Sequence, residues 1–155
     1  MSGAPSAPVV GVGGVLVREG KVVLIQRGKA PLRGHWSLPG GTVELGEPLV
    51  QALVREVREE TSLAVSVVEL LTVFDRIERV GRHVRSHFVI VDYLCEVTGG
   101  ELRAGSDAAD AVLVAPGELD SYGLTPKADE VIRKGLAVWN ARAVPTSQAG
   151  GPEQS

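Results

Sequence analysis

What this chain lacks narrows the field first. Its one cysteine, Cys95, cannot form an intrachain disulfide and supplies no thiolate zinc cluster. Set in an apolar-rich segment, it reads as a buried structural thiol. Aromatic residues make up only 4% of the 155, so Val, Leu and Ala must do most of the packing. No apolar run approaches the roughly 18–20 residues of a membrane span. Basic residues are not in excess: the net charge is −3, and no basic cluster is interleaved with aromatics. A dedicated nucleic-acid binder is therefore not expected. Met1 to Pro8 has neither the charged nor the apolar region of a secretory signal, and a cytoplasmic location is the expectation.

What is present describes one domain. Apolar residues reach 44% and charged residues 23%, the balance of a globular protein able to bury a sizeable core. Residues 1–8 and 143–155 are rich in Pro, Gly, Ser and Ala and are expected to be disordered tails around a domain at 9–142. Val-rich runs at 9–17 and 22–26 flank Arg18-Glu19-Gly20-Lys21, a hairpin signal. A long loop is expected from Arg27 to about Gly46, where Gly28, Pro31, Gly34, Pro39, Gly40, Gly41 and Gly46 fall. A helix should follow from Pro48 to Thr61. Strands are expected at 65–80 and 85–98 with a turn at Gly81, and a short one at 111–114. A last helix should run over 126–141, with Thr125 as its N-cap and Pro126 at its first position. Hairpins dominate, so an α+β fold, a mixed sheet flanked by two helices, fits better than a repeating βαβ array.

The central helix breaks its own rules. Val50, Leu53, Val54, Val57 and Thr61 form the stripe expected to face the core. Glu56, Glu59 and Glu60 gather on a neighbouring face, where like charges repel. They also occupy the last turns, where the helix dipole disfavours anions. Arg55 and Arg58 fall toward the other side of the wheel and offset only part of that charge. A solvated acidic face is the bland explanation. Against it stands Leu38-Pro39-Gly40-Gly41, a turn able to bring bare backbone carbonyls close to the acids. Carboxylates spaced three and four apart, with one carbonyl, suit a hard cation such as Mg²⁺.

These residues resemble a known family. Gly41, Glu47, Arg55, Glu56, Val57, Glu59, Glu60 and Leu63 follow the Nudix box, which here covers 23 residues. One position departs: Ser62 stands where the family has a glycine, a position expected to be a left-handed helix cap. The resemblance implies an αβα sandwich around a mixed β-sheet. It implies Mg²⁺, or Mn²⁺, held by Glu56, Glu59, Glu60 and the Gly40 carbonyl, with Arg55 orienting the carboxylates and Glu47 close by. The implied reaction is attack by water on a diphosphate phosphorus, with Glu59, Glu56 or a loop acid outside the box as general base.

The segment VVLIQRGKAPLRGHWSLPGG looks most like the ADP-ribose pyrophosphatase branch, as does the loop at 104–111. Within that likeness Arg27 and Arg33 are candidates to bind substrate phosphates, Trp36 to stack on a base, and Asp107 or Asp110 to offer the carboxylate outside the box. His35, His83 and His87 are scattered and have no metal spacing. The expected activity is hydrolysis of ADP-ribose to AMP and ribose 5-phosphate, with nucleoside triphosphates as the second substrate class. The alternative from another class is a Nudix-type domain that senses such a ligand without cleaving it. The intact box acids favour the enzyme. A homodimer is a further expectation, since dimers are common in that branch; neither nucleic acid nor membrane is an expected partner.

Overall fold

The computed structural model describes residues 5–29, 32–105 and 108–143. Seven strands form one sheet: β1 (Val9–Arg18), β2 (Lys21–Arg27), β3 (Trp36–Ser37), β4 (Gly40–Thr42), β5 (Ala64–Val80), β6 (His83–Gly99) and β7 (Ala108–Val114). Two helices, α1 (Leu49–Thr61) and α2 (Pro126–Ala143), and a 3₁₀ turn over Pro116–Tyr122 complete the order. The main path of the sheet is β3-β2-β1-β6-β5, with β4 also paired to β1 and β7 to β2. The β1–β6 pairing is parallel and the others are antiparallel, so the sheet is mixed.

β1 and β6 lie at the centre, and their residues alternate between two cores because side-chain direction alternates along a strand. Val15, Val17 and Leu94 join Val131, Ile132 and Leu136 of α2 on one face. Val12, Leu16, Val91, Tyr93 and Cys95 join Ala52, Leu53 and Val57 of α1 on the other. Burial on both faces explains why β1 reads as a nearly continuous apolar run rather than an alternating one. The result is the α+β architecture expected, an αβα sandwich. Both cores are chiefly aliphatic, and Cys95 is buried with its thiol pKa pushed up to about 12 by loss of water. No described helix is long and apolar enough to cross a membrane.

The β1–β2 hairpin closes through Glu19 and Gly20, both at positive φ (53° and 77°), which is the type I′ requirement. Thr125 caps α2 as expected, its hydroxyl oxygen accepting the Ala128 N–H at 3.1 Å. The long loop is only partly a loop. Trp36 pairs with Gln26, and Gly40 to Thr42 pair with Gly13 to Gly11. Strands of two or three residues carry no periodic signal, because only the partner strand makes them strands. The short 3₁₀ turn over Pro116–Tyr122 likewise carries no periodic signal. Expected tail residues 1–4 and 144–155 lie outside the described residues.

The stripe on α1 needs correction. Val50 is 42% exposed and Val54 only half-buried, while Ala52, Leu53, Val57 and Thr61 are buried. At about 100° per residue, that buried arc runs from Ala52 round to Thr61 and is centred between Leu53 and Val57. Glu56 and Glu60 fall within the same arc, between Ala52 and Leu53, and lie half-buried against β4.

Candidate active site

Glycine makes room for those acids. A Cβ at Gly41 would land on the Glu56 carboxyl group, and one at Gly40 would fall on the Val12 carbonyl oxygen. Only bare backbone can run between β1 and this face of α1. The Gly40 N–H donates to Glu60 Oε1 at 2.8 Å, tying the third box carboxylate to the same strand. The end of α1 is closed by backbone: Ser62, Arg103 and Gly105 N–H groups donate to the Arg58, Thr61 and Glu60 carbonyls. Those donors offset the negative helix end that would otherwise repel the acids. Ser62 sits at φ 65°, ψ 13°, so the serine keeps the left-handed cap that the resemblance implies for the family's glycine.

Arg55 is the hub of the acidic rim. Its Nε and one terminal nitrogen donate to the two Glu47 oxygens at 2.7 and 3.0 Å, a bidentate fork. The other terminal nitrogen donates to Glu56 Oε2 at 3.1 Å and Glu59 Oε1 at 3.2 Å. The Thr42 carbonyl accepts a further bond at 3.1 Å. Arg55 is therefore not on the far side of the wheel from the acids: Glu59 is one turn on, and its side chain reaches back. The fork holds the Glu47 carboxyl below the usual carboxylate range, helped by the Glu44 N–H. Burial pushes Glu56 the other way, upward, against the pull of Arg55. The Arg55 guanidinium is held charged above its ordinary value, chiefly by Glu47.

Among the described residues no three acids, histidines or cysteines converge closely enough to enclose a metal ion. Glu56 and Glu59 turn toward Arg55, while Glu60 turns toward Gly40. The donor chemistry nevertheless suits a hard cation. All three groups are carboxylates on one rim, and Glu56 Oε1, on a side chain only 17% exposed, accepts no hydrogen bond from the described residues.

Beside the rim opens a cleft of about 670 Å³. Glu60, Gly40 and Gly41 form one end, Gly11 and Gly13 of β1 lie along it, and Arg27, Trp36, Arg76, Asp92 and Lys127 also line it. Of the expected substrate contacts, Arg27 and Trp36 are placed in the cleft, Trp36 set edge-on to Tyr122 with ring centroids 5.2 Å apart. Arg33 is exposed on the loop and is not among the lining residues. Asp107 lies outside the described residues. Asp110 is exposed on β7 and accepts the N–H of Ala111 at 2.8 Å, outside the cleft. His35 lines the cleft, and His87 contacts Asp75 at 2.9 Å. Asp92, Arg76 and Lys127 were missed. Asp92 had a signal: an acid within FVIVDYLC, a segment otherwise apolar enough for burial on both faces.

A family model described as the NUDIX domain matches residues 7–135. The chain belongs to the Nudix family. The box is the β4–loop–α1 unit just described. Over 104 residues, 67% of this chain, it is 41% identical to an ADP-ribose pyrophosphatase of Methanocaldococcus jannaschii and spans 60% of that protein's length. A CTP pyrophosphohydrolase of Escherichia coli is 33% identical over 133 residues, covering 84% of this chain and 93% of the relative. A crystal structure of a MutT NUDIX hydrolase from Burkholderia pseudomallei superposes with a TM-score of 0.73 at 33% identity, over 83% of this chain and 98% of that one. Two further curated relatives, a nudix hydrolase of Caenorhabditis elegans and an 8-oxo-dGDP phosphatase of Mus musculus, are longer, and the chain spans only 22% and 28% of them.

Proposed function

We propose that this Nudix domain is a pyrophosphohydrolase dependent on a divalent cation, Mg²⁺ or Mn²⁺. It would cleave the diphosphate of a nucleoside diphosphate linked to another group, with ADP-ribose giving AMP and ribose 5-phosphate. The observation that carries this is the acidic rim opening onto the cleft: Glu56 backed by Gly41, Glu60 tied to Gly40, and Glu59 alongside. The likeness to the archaeal ADP-ribose pyrophosphatase supports the substrate.

Glu56, Glu59 and Glu60 would hold the cation, with the Gly40 carbonyl as the further donor. Bound there, a divalent cation lowers the pKa of water and neutralises charge on phosphate oxygens. Arg55 keeps Glu56 and Glu59 in place and offsets part of the negative charge they share with Glu47. Arg27, which lines the cleft, would meet a phosphate, and Trp36, which also lines it, would stack on the base. Glu59, more exposed than Glu56, would take a proton from an attacking water as general base. Likeness to the CTP pyrophosphohydrolase supports nucleoside triphosphates as the second substrate class.

The deciding experiment incubates the protein with ADP-ribose, other nucleoside diphosphate derivatives and nucleoside triphosphates in Mg²⁺ or Mn²⁺, and resolves products by chromatography. Release of AMP from ADP-ribose is the expected result. Pyrophosphate from a triphosphate would replace it with the second class, and binding without turnover would make the domain a sensor. Glu60→Gln should cut turnover by at least about 100-fold without lowering the melting temperature. Near-normal turnover would remove Glu60 from the cation's ligands.

A further inference from the structure

Asp92 is buried to 4% exposure on the central strand β6, yet among the described residues neither of its carboxylate oxygens accepts a hydrogen bond. Such a group is expensive to keep, because a buried acid normally finds partners. It is also provided for: a Cβ on Gly13, its register partner on β1, would collide with the Asp92 carboxylate. Asp92 faces the cleft that Glu60 enters at its rim. Arg76 and Lys127, which also line the cleft, act on Asp92 only through their charge, and burial outweighs them, raising its pKa. A glycine-floored position that holds an unpaired carboxylate inside a substrate-sized cleft is a site waiting for donors.

We propose that Asp92 recognises the nucleoside of the substrate by accepting hydrogen bonds from its neutral donors, sugar hydroxyls or base N–H groups. This rests on the nucleoside diphosphate substrate proposed above. The diphosphate itself cannot lie against Asp92, because a carboxylate repels it. The organic end must therefore occupy the floor, and its donors satisfy what the empty protein leaves unpaired. A buried acceptor of this kind discriminates strongly, since an analogue lacking the donor leaves the charge stranded.

The test measures binding apart from hydrolysis. ADP-ribose is titrated calorimetrically into wild-type protein, Asp92→Leu and Asp92→Asn in EDTA, and kcat and KM are measured in Mg²⁺. Asp92→Leu should weaken binding and raise KM by about 10- to 100-fold, with kcat little changed and the Asn variant intermediate. Derivatives lacking the 2′- or 3′-hydroxyl, or carrying hypoxanthine for adenine, tell sugar from base: the change that weakens wild type but not Asp92→Leu marks the donor. Unaltered binding by both variants would overturn the assignment, as would unaltered binding with lost turnover, which would place Asp92 in the chemistry. If wild type neither binds nor cleaves any nucleoside derivative, the substrate class falls and this inference with it; if wild type cleaves ADP-ribose and the variants bind it normally, only this inference falls.

Discussion

Burying Asp92 without a partner should leave a measurable mark on stability. Loss of water raises its pKa from 3.8 to about 6, against the opposing charges of Arg76 and Lys127. At about 1.4 kcal/mol per pH unit, ionising it inside the fold costs about 3 kcal/mol. The sign follows from proton counting. Below about pH 4 the group is protonated in both folded and unfolded chains and costs nothing extra. Between 3.8 and about 6 the unfolded chain gives up the proton first, so the folded state binds more protons and stability falls as pH rises. Above about pH 6 the cost is complete and constant. Asp92→Asn removes the ionisation. Its melting temperature relative to wild type should therefore climb between pH 4 and 7 by about 6–12 °C, given roughly 2–4 °C per kcal/mol for a domain of this length. The assay is thermal unfolding of both proteins in EDTA across that range. The amide's own unmet hydrogen bonds add an offset that does not vary with pH, so the slope is the diagnostic. A difference that stays flat, or a wild type that gains on the variant as pH rises, would refute the idea of an unpaired buried acid.

Other consequences concern the rim. Arg55→Lys cannot reproduce the fork to Glu47 or the bond to the Thr42 carbonyl, and it strands the half-buried Glu56. A loss of about 2–3 kcal/mol in urea unfolding is expected, with turnover lost alongside; unchanged stability would show that the hub is ornamental. Gly41→Ala drives a methyl group into the Glu56 carboxylate. The expected cost is about 1–3 kcal/mol, together with weaker Mn²⁺ binding read by electron paramagnetic resonance, and tight Mn²⁺ binding by the variant would count against the cradle. Ser62→Gly relieves a left-handed backbone at an exposed helix cap. It should stabilise by about 0.5–1 kcal/mol after the entropic cost of glycine, seen as a slightly higher melting temperature with unaltered kcat/KM.

Local patterns in the amino-acid order were enough for the two hairpins, both helices and the Thr125 cap, because each depends on nearest neighbours along the chain. The acid spacing on α1 and the glycines before it were likewise legible, since helix periodicity and backbone clearance are local properties. Tertiary structure decided the rest. It set Glu56 and Glu60 of α1 against β4, where Gly40 and Gly41 leave space for them. It gathered Glu47, Glu56 and Glu59 onto Arg55, joining a loop acid to residues of the helix. It made strands of Trp36–Ser37 and Gly40–Thr42, whose pairing is entirely with distant partners. And it set Asp92 opposite Gly13 across a parallel pair 79 positions apart in register, so that an acid in an apolar strand faces a cleft instead of solvent. Chain order specifies which groups are available; only long-range packing determines which of them share a cavity and are stripped of water there.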